Sequence, residues 1–284
     1  MHESIRHQLE QDGYVVLEDF LKPAECDELV AAGLEITQQI DESSRKSVFS
    51  TVNNQEHKDT YFLESNDKIR YFFESDALGE NGEFKVDPSI SLNKVGHALH
   101  LQHPIFRCYT YSDRVKAVCR ELGFKEPAVV QSMYIYKNPG VGGEVIAHQD
   151  ITYLHTEPVP PLGFWIALQD ATVQNGCLWI APGSHKSGVH RRLIKTQNNT
   201  LEYDKPAPVY PQSSFIPVAV TKGTCILLHG NVVHKSAHNK SDKSRHAYTF
   251  HIVEKKDNNF SPENWLQEGK DAPFFNIYTT SQMA

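Results

Sequence analysis

The chain has 284 residues, 39% of them hydrophobic, and a formal net charge of −7. That is enough apolar material for one large domain with a sizeable core, or at most two, and with no long Lys/Arg run a nucleic-acid partner is not expected. Five cysteines (Cys26, Cys108, Cys119, Cys177, Cys225) are scattered, odd in number and free of CxxC spacing, so neither a disulfide framework nor a zinc ribbon is indicated.

Residues 4 to 11 predict a short helix, and GYVVLEDF (13 to 20) a strand. LKPAECDELVAAGLEITQQI (21 to 40) reads as a helix opened by Pro23, with Cys26, Leu29, Val30, Leu34, Thr37 and Ile40 at helical spacing. Between about 41 and 95 the chain is charged and punctuated, as in DESSRKS and ESDALGENGEFKVDPS. That texture predicts loops and a lid with little regular structure. TYSDRVKAVCRELGF (110 to 124) predicts an amphipathic helix with Val115, Val118, Cys119 and Leu122 on one stripe and Gly123 at its end.

From 128 onward the texture changes to short runs rich in Val, Ile, Tyr, Phe and Trp, among them AVVQSMYIYK, GFWIALQDAT, GTCILLHG and RHAYTFHIVE, separated by Gly, Pro and Asn. Strands without intervening helices suggest a sandwich or double-sheet barrel rather than a parallel sheet. The expected organisation is a single domain: helical and loop-rich over 1–127, a β core over 128–254, and a C-terminal extension over 255–284. The N-terminus lacks the apolar core of a secretory signal, no 18-residue apolar run occurs, and TTSQMA is not a peroxisomal ending. A cytoplasmic monomer without a membrane partner is expected.

VIAHQDITYL (145 to 154) sets two ionisable groups inside an apolar, β-favouring stretch. In a strand, residues i and i+2 point to one face, so His148 and Asp150 would project together while Gln149 points away. A third ligand would complete a set, and His229, His234, His238, His246 and His251 are all candidates. Two histidines and one carboxylate with open positions suit non-haem Fe(II); zinc prefers a more closed or three-histidine set. A His-x-Asp alone is more often an ordinary hydrogen-bonded pair. The added weight comes from residues 229 to 252, where His234 precedes Arg245 by eleven residues across a polar turn. A hairpin there would bring the arginine beside the metal.

HQD at 148 to 150, NGCLWIAPGSH at 175 to 185 and HGNVVHKSAHNKSDKSRHAYTFH at 229 to 251 resemble the phytanoyl-CoA dioxygenase family of Fe(II)/2-oxoglutarate oxygenases. NKVGHALH, VVQSMYIYK, GFWIALQDAT and SPENWL extend the likeness along almost the whole chain. The resemblance implies a mainly β fold with flanking helices around a double-stranded β-helix (jelly-roll, cupin-like) core. It implies Fe(II) held by His148, Asp150 and His234, with 2-oxoglutarate and O2 as cosubstrates and oxidative decarboxylation to succinate and CO2. It also places Lys94, Met133 and Trp165 at cosubstrate-contacting positions, where spacing alone would read a solvated lysine and plain core.

2-Oxoglutarate is a dianion whose far carboxylate needs a cationic clamp, and Arg245 offers a planar fork for it. Ser236, two residues after His234, shares its strand face and can hydrogen-bond the same carboxylate. Gln149 is expected near the cosubstrate or behind the ligands. His229 is expected behind the metal and His185 on the backbone; His238, His246 and His251 have no assigned role. Halogenating relatives carry a small residue in place of the aspartate, so Asp150 implies hydroxylation. The expected substrate is a small organic or acyl molecule. No basic cluster obvious in the sequence meets the charges of coenzyme A, so phytanoyl-CoA is expected to be a poor one. The alternative is a jelly-roll protein that binds metal and 2-oxoglutarate without turnover.

Overall fold

The computed structural model describes residues 4–40, 47–48 and 60–279. Helix α1 (Ile5–Asp12) is capped by the Ser4 hydroxyl, which accepts from the His7 N–H, and ends on Gly13 at φ 81. That left-handed turn feeds strand β1 (Tyr14–Leu17). Helix α2 (Pro23–Thr37) starts with proline in its first turn and buries Cys26, Leu29, Ala32 and Ile36; Leu34, set at helical spacing with Cys26 and Leu29 in the sequence, is 41% exposed. The remaining helices are α3 (Thr60–Leu63), α4 (Leu99–Gln102), α5 (Pro104–Thr110) and α6 (Asp113–Leu122). The single helix expected over 110–124 is therefore interrupted: Ser112 takes an extended conformation as the N-cap of α6, and Gly123 ends that helix at φ 86.

The strands continue as β2 (Ser47–Val48), β3 (Ile69–Phe73), β4 (Leu92–His97), β5 (Pro127–Ile135), β6 (Val145–His148), β7 (Thr156–Glu157), β8 (Leu162–Ala167) and β9 (Leu178–Ile180). Then follow β10 (Leu193–Lys195), β11 (Leu201–Tyr203), β12 (Ile216–Val218), β13 (Cys225–His229), β14 (His234–Ser236), β15 (Ala247–Glu254) and β16 (Asn259–Phe260). Eight of them form one sheet in the order β1-β13-β8-β15-β5-β4-β3-β2, and four form a second in the order β12-β9-β14-β6. The two sheets make a jelly roll, with Trp165 and Ala167 of β8 and Ile226 and Leu228 of β13 packed against Leu178, Ile180 and Val218 of the smaller sheet.

The period of two explains why the large sheet's strands read as continuous apolar runs. On β8, Phe164 and Ile166 face the helices while Trp165 and Ala167 face the other sheet; on β15, Tyr248, Phe250 and Ile252 face the helices. The helix-side core joins them to Leu29 and Ile36 of α2, Phe106 of α5 and Val115 of α6. Thr249 and His251 of β15 are consequently turned inward, where they line the cavity described below.

Part of the segment expected to be irregular carries regular structure. β3 and β4 pair antiparallel and attach to the large sheet through β4 and β5. Charged neighbours conceal the strand signal in KIRYFF, whose Phe72 and Phe73 are fully buried in separate core clusters. Residues 41–46 and 49–59 of the expected lid lie outside the described residues. The sheet also crosses the boundary drawn at 128, because β1, β3 and β4 all belong to it. Of the cysteines, only Cys108 is exposed. Among the described residues no helix is long and apolar enough to cross a membrane.

Candidate metal centre

β6 and β14 pair antiparallel with His148 directly opposite His234. Each ring is held from behind by a backbone carbonyl two residues earlier: His148 Nδ1 lies 2.9 Å from the Ile146 oxygen and His234 Nδ1 lies 3.2 Å from that of Val232. Carbonyls only accept, so each Nδ1 carries the proton and each Nε2 presents a lone pair. Both Nε2 atoms face Asp150 Oδ1, at 3.7 and 3.6 Å. Asp150 is not a strand residue. Gln149 is extended and Asp150 opens a single 3-10 turn (Asp150–Thr152), tied to the β13–β14 connection by the Ile151 N–H on the Gly230 carbonyl. The potential ligand atoms of His148, Asp150 and His234 all lie within 4.8 Å of one another.

Electrostatics favour the metal-ready protonation states. Burial lowers the His148 ring to about 4, His234 adding to the effect while Asp150 opposes it. Burial by itself would raise the Asp150 carboxyl, but His251, His234 and His148 together hold it well below the usual carboxylate range. Asp150 Oδ2 approaches His251 Nε2 at 3.2 Å but accepts no aligned hydrogen bond. Gly163 makes room there, since a Cβ at that position would stand 3.1 Å from Oδ2.

The triad opens on a cavity of about 170 Å³. At one end Arg245, 2% exposed, donates from Nε to the Gly176 carbonyl at 3.0 Å and lies 5.2 Å from the Trp165 ring centre. Its Nη1 is buried with no hydrogen-bond partner among the described residues. Burial pushes its guanidinium down to about 10, which leaves it charged at neutral pH. The expected hairpin is absent. β14 and β15 belong to different sheets, so the 237–246 connection crosses between them, and Arg245 sits in that connection just before β15.

Ser236, Trp165, Met133 and Lys94 also line the cavity. Ser236 Oγ accepts a hydrogen bond from Lys137 Nζ at 2.9 Å. Lys94, on β4, is buried with Nζ 6.0 Å and 5.7 Å from the Phe62 and Phe72 ring centres. Gln149 is placed differently from expectation. Its Nε2 donates to the Gly188 and Asn231 carbonyls and its Oε1 accepts from the His190 N–H, so the amide braces loops and does not reach the cavity.

The late histidines now separate. The His229 ring lies tilted against that of His185, whose Nε2 is 3.1 Å from the Glu10 carbonyl, and His246 bonds the Tyr134 hydroxyl on the helix side. His251 is the residue that spacing missed. It pairs opposite Gln131 on β5, whose Nε2 lies 3.1 Å from its Nδ1, and its other nitrogen meets Asp150. Alternation along β15 from Ala247 was the available signal. Lys137 and Glu74 were missed as well, and no spacing rule points to them.

A profile of the family described as Phytanoyl-CoA dioxygenase (PhyH) matches residues 9–247. The chain is 45% identical to phytanoyl-CoA dioxygenase domain-containing protein 1 of Danio rerio, over 94% of this chain and 95% of that one. It is 46% identical to the Bos taurus protein of the same name, over 96% and 97% of the two chains. In three dimensions it resembles the non-haem alpha-ketoglutarate-dependent carbocyclase SnoK from nogalamycin biosynthesis, with TM-score 0.64, 17% identity, and 97% and 96% of the two chains covered. It also resembles EctD from S. alaskensis, solved with 2-oxoglutarate and 5-hydroxyectoine, with TM-score 0.58, 19% identity, and 93% and 83% covered. The structural likenesses establish the jelly-roll fold, and the sequence matches establish that the chain belongs to the phytanoyl-CoA dioxygenase family.

Proposed function

We propose that this protein is an Fe(II)- and 2-oxoglutarate-dependent dioxygenase that hydroxylates a small organic or acyl substrate with release of succinate and CO2. The observation that carries the reading is the meeting, in one cavity, of three metal-type donors with a buried arginine whose Nη1 lacks a partner among the described residues. Two imidazoles and one carboxylate fit Fe(II) with positions left open, and a buried guanidinium with its Nη1 unpartnered among the described residues fits a carboxylate.

His148, Asp150 and His234 hold the iron, which when bound supplies the activation of O2 coupled to decarboxylation of the 2-oxo acid. The His148 ring is already neutral at pH 7, so little competition from protons accompanies metal binding there. Arg245 and Ser236 hold the far carboxylate, while Trp165 and Met133 wall the site against water. Lys94 adds a buried cation on the same wall. Asp150 fills the position that a halide would need, which favours hydroxylation.

The outer wall is apolar: Phe62 and Trp265 stack at 4.6 Å, joined by Tyr153 and Leu193. A cavity of about 170 Å³ lies below the ~300–1,000 Å³ of drug-sized sites, and it must also take the cosubstrate. That favours a compact substrate with an apolar face. An untargeted metabolite screen for stimulated succinate release tests class and substrate together. Release that requires Fe(II), O2 and one compound supports the reading. Intact binding of Fe(II) and 2-oxoglutarate with no release from any compound would favour a binding protein.

A further inference from the structure

Lys137 lies at the Arg245 end of the cavity and none of the iron or cosubstrate roles above uses it. It is 2% exposed, and its Nζ donates to Ser236 Oγ at 2.9 Å and to the Gly143 carbonyl at 2.5 Å. Its backbone stands at φ 40, in the left-handed region that an L side chain rarely adopts. The surroundings enforce that conformation: the Lys137 carbonyl accepts from Asn239 Nδ2 at 2.8 Å and from the Arg245 N–H at 3.2 Å. Gly176 serves both cations. Its carbonyl holds Arg245 Nε, and a Cβ there would come within 2.9 Å of Lys137 Cε. A strained lysine threaded past a glycine into a cavity is over-determined by its neighbours, which is how strain persists at working sites.

The charges around it are arranged to match one carboxylate. Lys137 and Arg245 are two buried cations, and Glu74, buried in the same cavity and bonded by Asn93 Nδ2 at 2.9 Å, is one acid facing them. Glu144, at the surface, is the other acid that acts on Lys137. Burial pushes the Glu74 carboxyl up against the opposing pull of Lys137, and pushes the Lys137 ammonium down against that of Glu74. Lys137 Nζ donates in both of its hydrogen bonds, as an ammonium does, and paired with the Glu74 carboxylate it leaves this three-residue cluster with the net positive charge of Arg245. A ligand carboxylate brings the cluster to neutrality.

Resting on the oxygenase reading above, we infer that Lys137 is a positioning residue that selects a 2-oxo acid with a distal carboxylate. An ammonium only donates, so its bond to Ser236 occupies an acceptor lone pair of that hydroxyl and leaves the hydroxyl proton free to point into the cavity. Ser236 is thereby fixed as a donor beside Arg245, and Glu74 is the counter-charge that keeps Lys137 buried.

The test is calorimetry on the full-length Mn(II)-loaded protein without O2, comparing 2-oxoglutarate with 2-oxobutyrate, which lacks the distal carboxylate. Lys137→Met should weaken 2-oxoglutarate at least tenfold, leave 2-oxobutyrate and Mn(II) affinity within twofold, and give little further loss when combined with Ser236→Ala. Should Lys137→Met not fold because Glu74 is left unpaired, the Glu74→Gln/Lys137→Met variant carries the same comparison. Equal weakening of both acids, or of neither, overturns the role of Lys137 alone. A wild-type protein without preference for 2-oxoglutarate overturns the oxygenase reading and this inference with it.

Discussion

His148 and His234 face each other across paired antiparallel strands, their ring centres 4.3 Å apart and both Nε2 atoms turned to one oxygen of Asp150. Two acceptor nitrogens, one half-buried and one buried, converge here on a buried carboxylate oxygen, an arrangement that suits a cation. Replacing His234 by alanine removes one of the proposed ligands and should leave the strand register intact. Loss of an outlying partner of a ligand costs about 10- to 100-fold in metal affinity, so the loss here should exceed ~100-fold. Titration of Fe(II) under anaerobic conditions reads it, and unchanged affinity would exclude His234 from the centre.

His251 meets the far oxygen of Asp150, away from the one that His148 and His234 share, and it is braced by Gln131. His251→Leu keeps most of the volume but removes the nitrogen that faces the carboxylate. Fe(II) affinity should fall by roughly 10- to 100-fold, with the helix-side core unaffected. A circular-dichroism melt run alongside separates this from unfolding.

Arg245→Lys keeps a charge and loses the planar two-pronged contact. Hydrogen bonds to charged groups contribute about 1.5 to 3 kcal/mol, so 2-oxoglutarate affinity should drop roughly 10- to 150-fold. Metal occupancy should stay full, because Arg245 touches none of the three ligands. Measuring both constants on one sample decides the matter; unchanged cosubstrate affinity would place the guanidinium outside the site.

Acid should destabilise the metal-free protein through its buried histidines. Burial lowers His100 to about 3, and lowers His229 and His246 to about 4, with His97 also held well below its usual value. Below about 6.5 the unfolded chain takes up protons that the folded rings refuse, so stability rises with pH through this window. It is fully present above pH 6.5 and lost progressively towards pH 4. A tenfold difference in proton affinity between the folded and unfolded ring corresponds to about 1.4 kcal/mol, so urea midpoints should fall steeply between pH 6.5 and 4.5. A flat profile would contradict the neutral, buried state of these rings.

The β half of the fold was legible because runs such as GFWIAL and CILL are apolar on both faces of the large sheet and are punctuated by Gly or Pro. The family motifs carried His148, Asp150, His234 and Arg245 to one place. β3 was concealed by the charges around Phe72 and Phe73, and the stripe of Val115, Val118, Cys119 and Leu122, which begins after Ser112, gave no sign of the break there. Pairing across sheets was out of reach of spacing: Arg245 arrives by a connection between sheets rather than by a hairpin. His251 meets Asp150 only because β15 lies beside β8 and β5. Gln149 turns away from His148 and Asp150 as strand alternation expects, but its amide is spent on the Gly188 and Asn231 carbonyls and not on the cavity where a cosubstrate contact was expected.

Phytanoyl-CoA should be a poor substrate, since its chain must share the aromatic-walled cavity with the cosubstrate. Succinate formation with phytanoyl-CoA should stay near the rate without substrate; efficient coupled 2-hydroxylation would contradict the compact-substrate reading.

Anaerobic titration of 2-oxoglutarate into the purified protein, with and without Fe(II), tests the proposed dioxygenase activity at its first step. One equivalent should bind in the presence of iron, with affinity that falls sharply when Asp150 is replaced by alanine or iron is chelated. Absence of 2-oxoglutarate binding to the iron-loaded protein, or binding indifferent to iron and to Asp150, would contradict that activity.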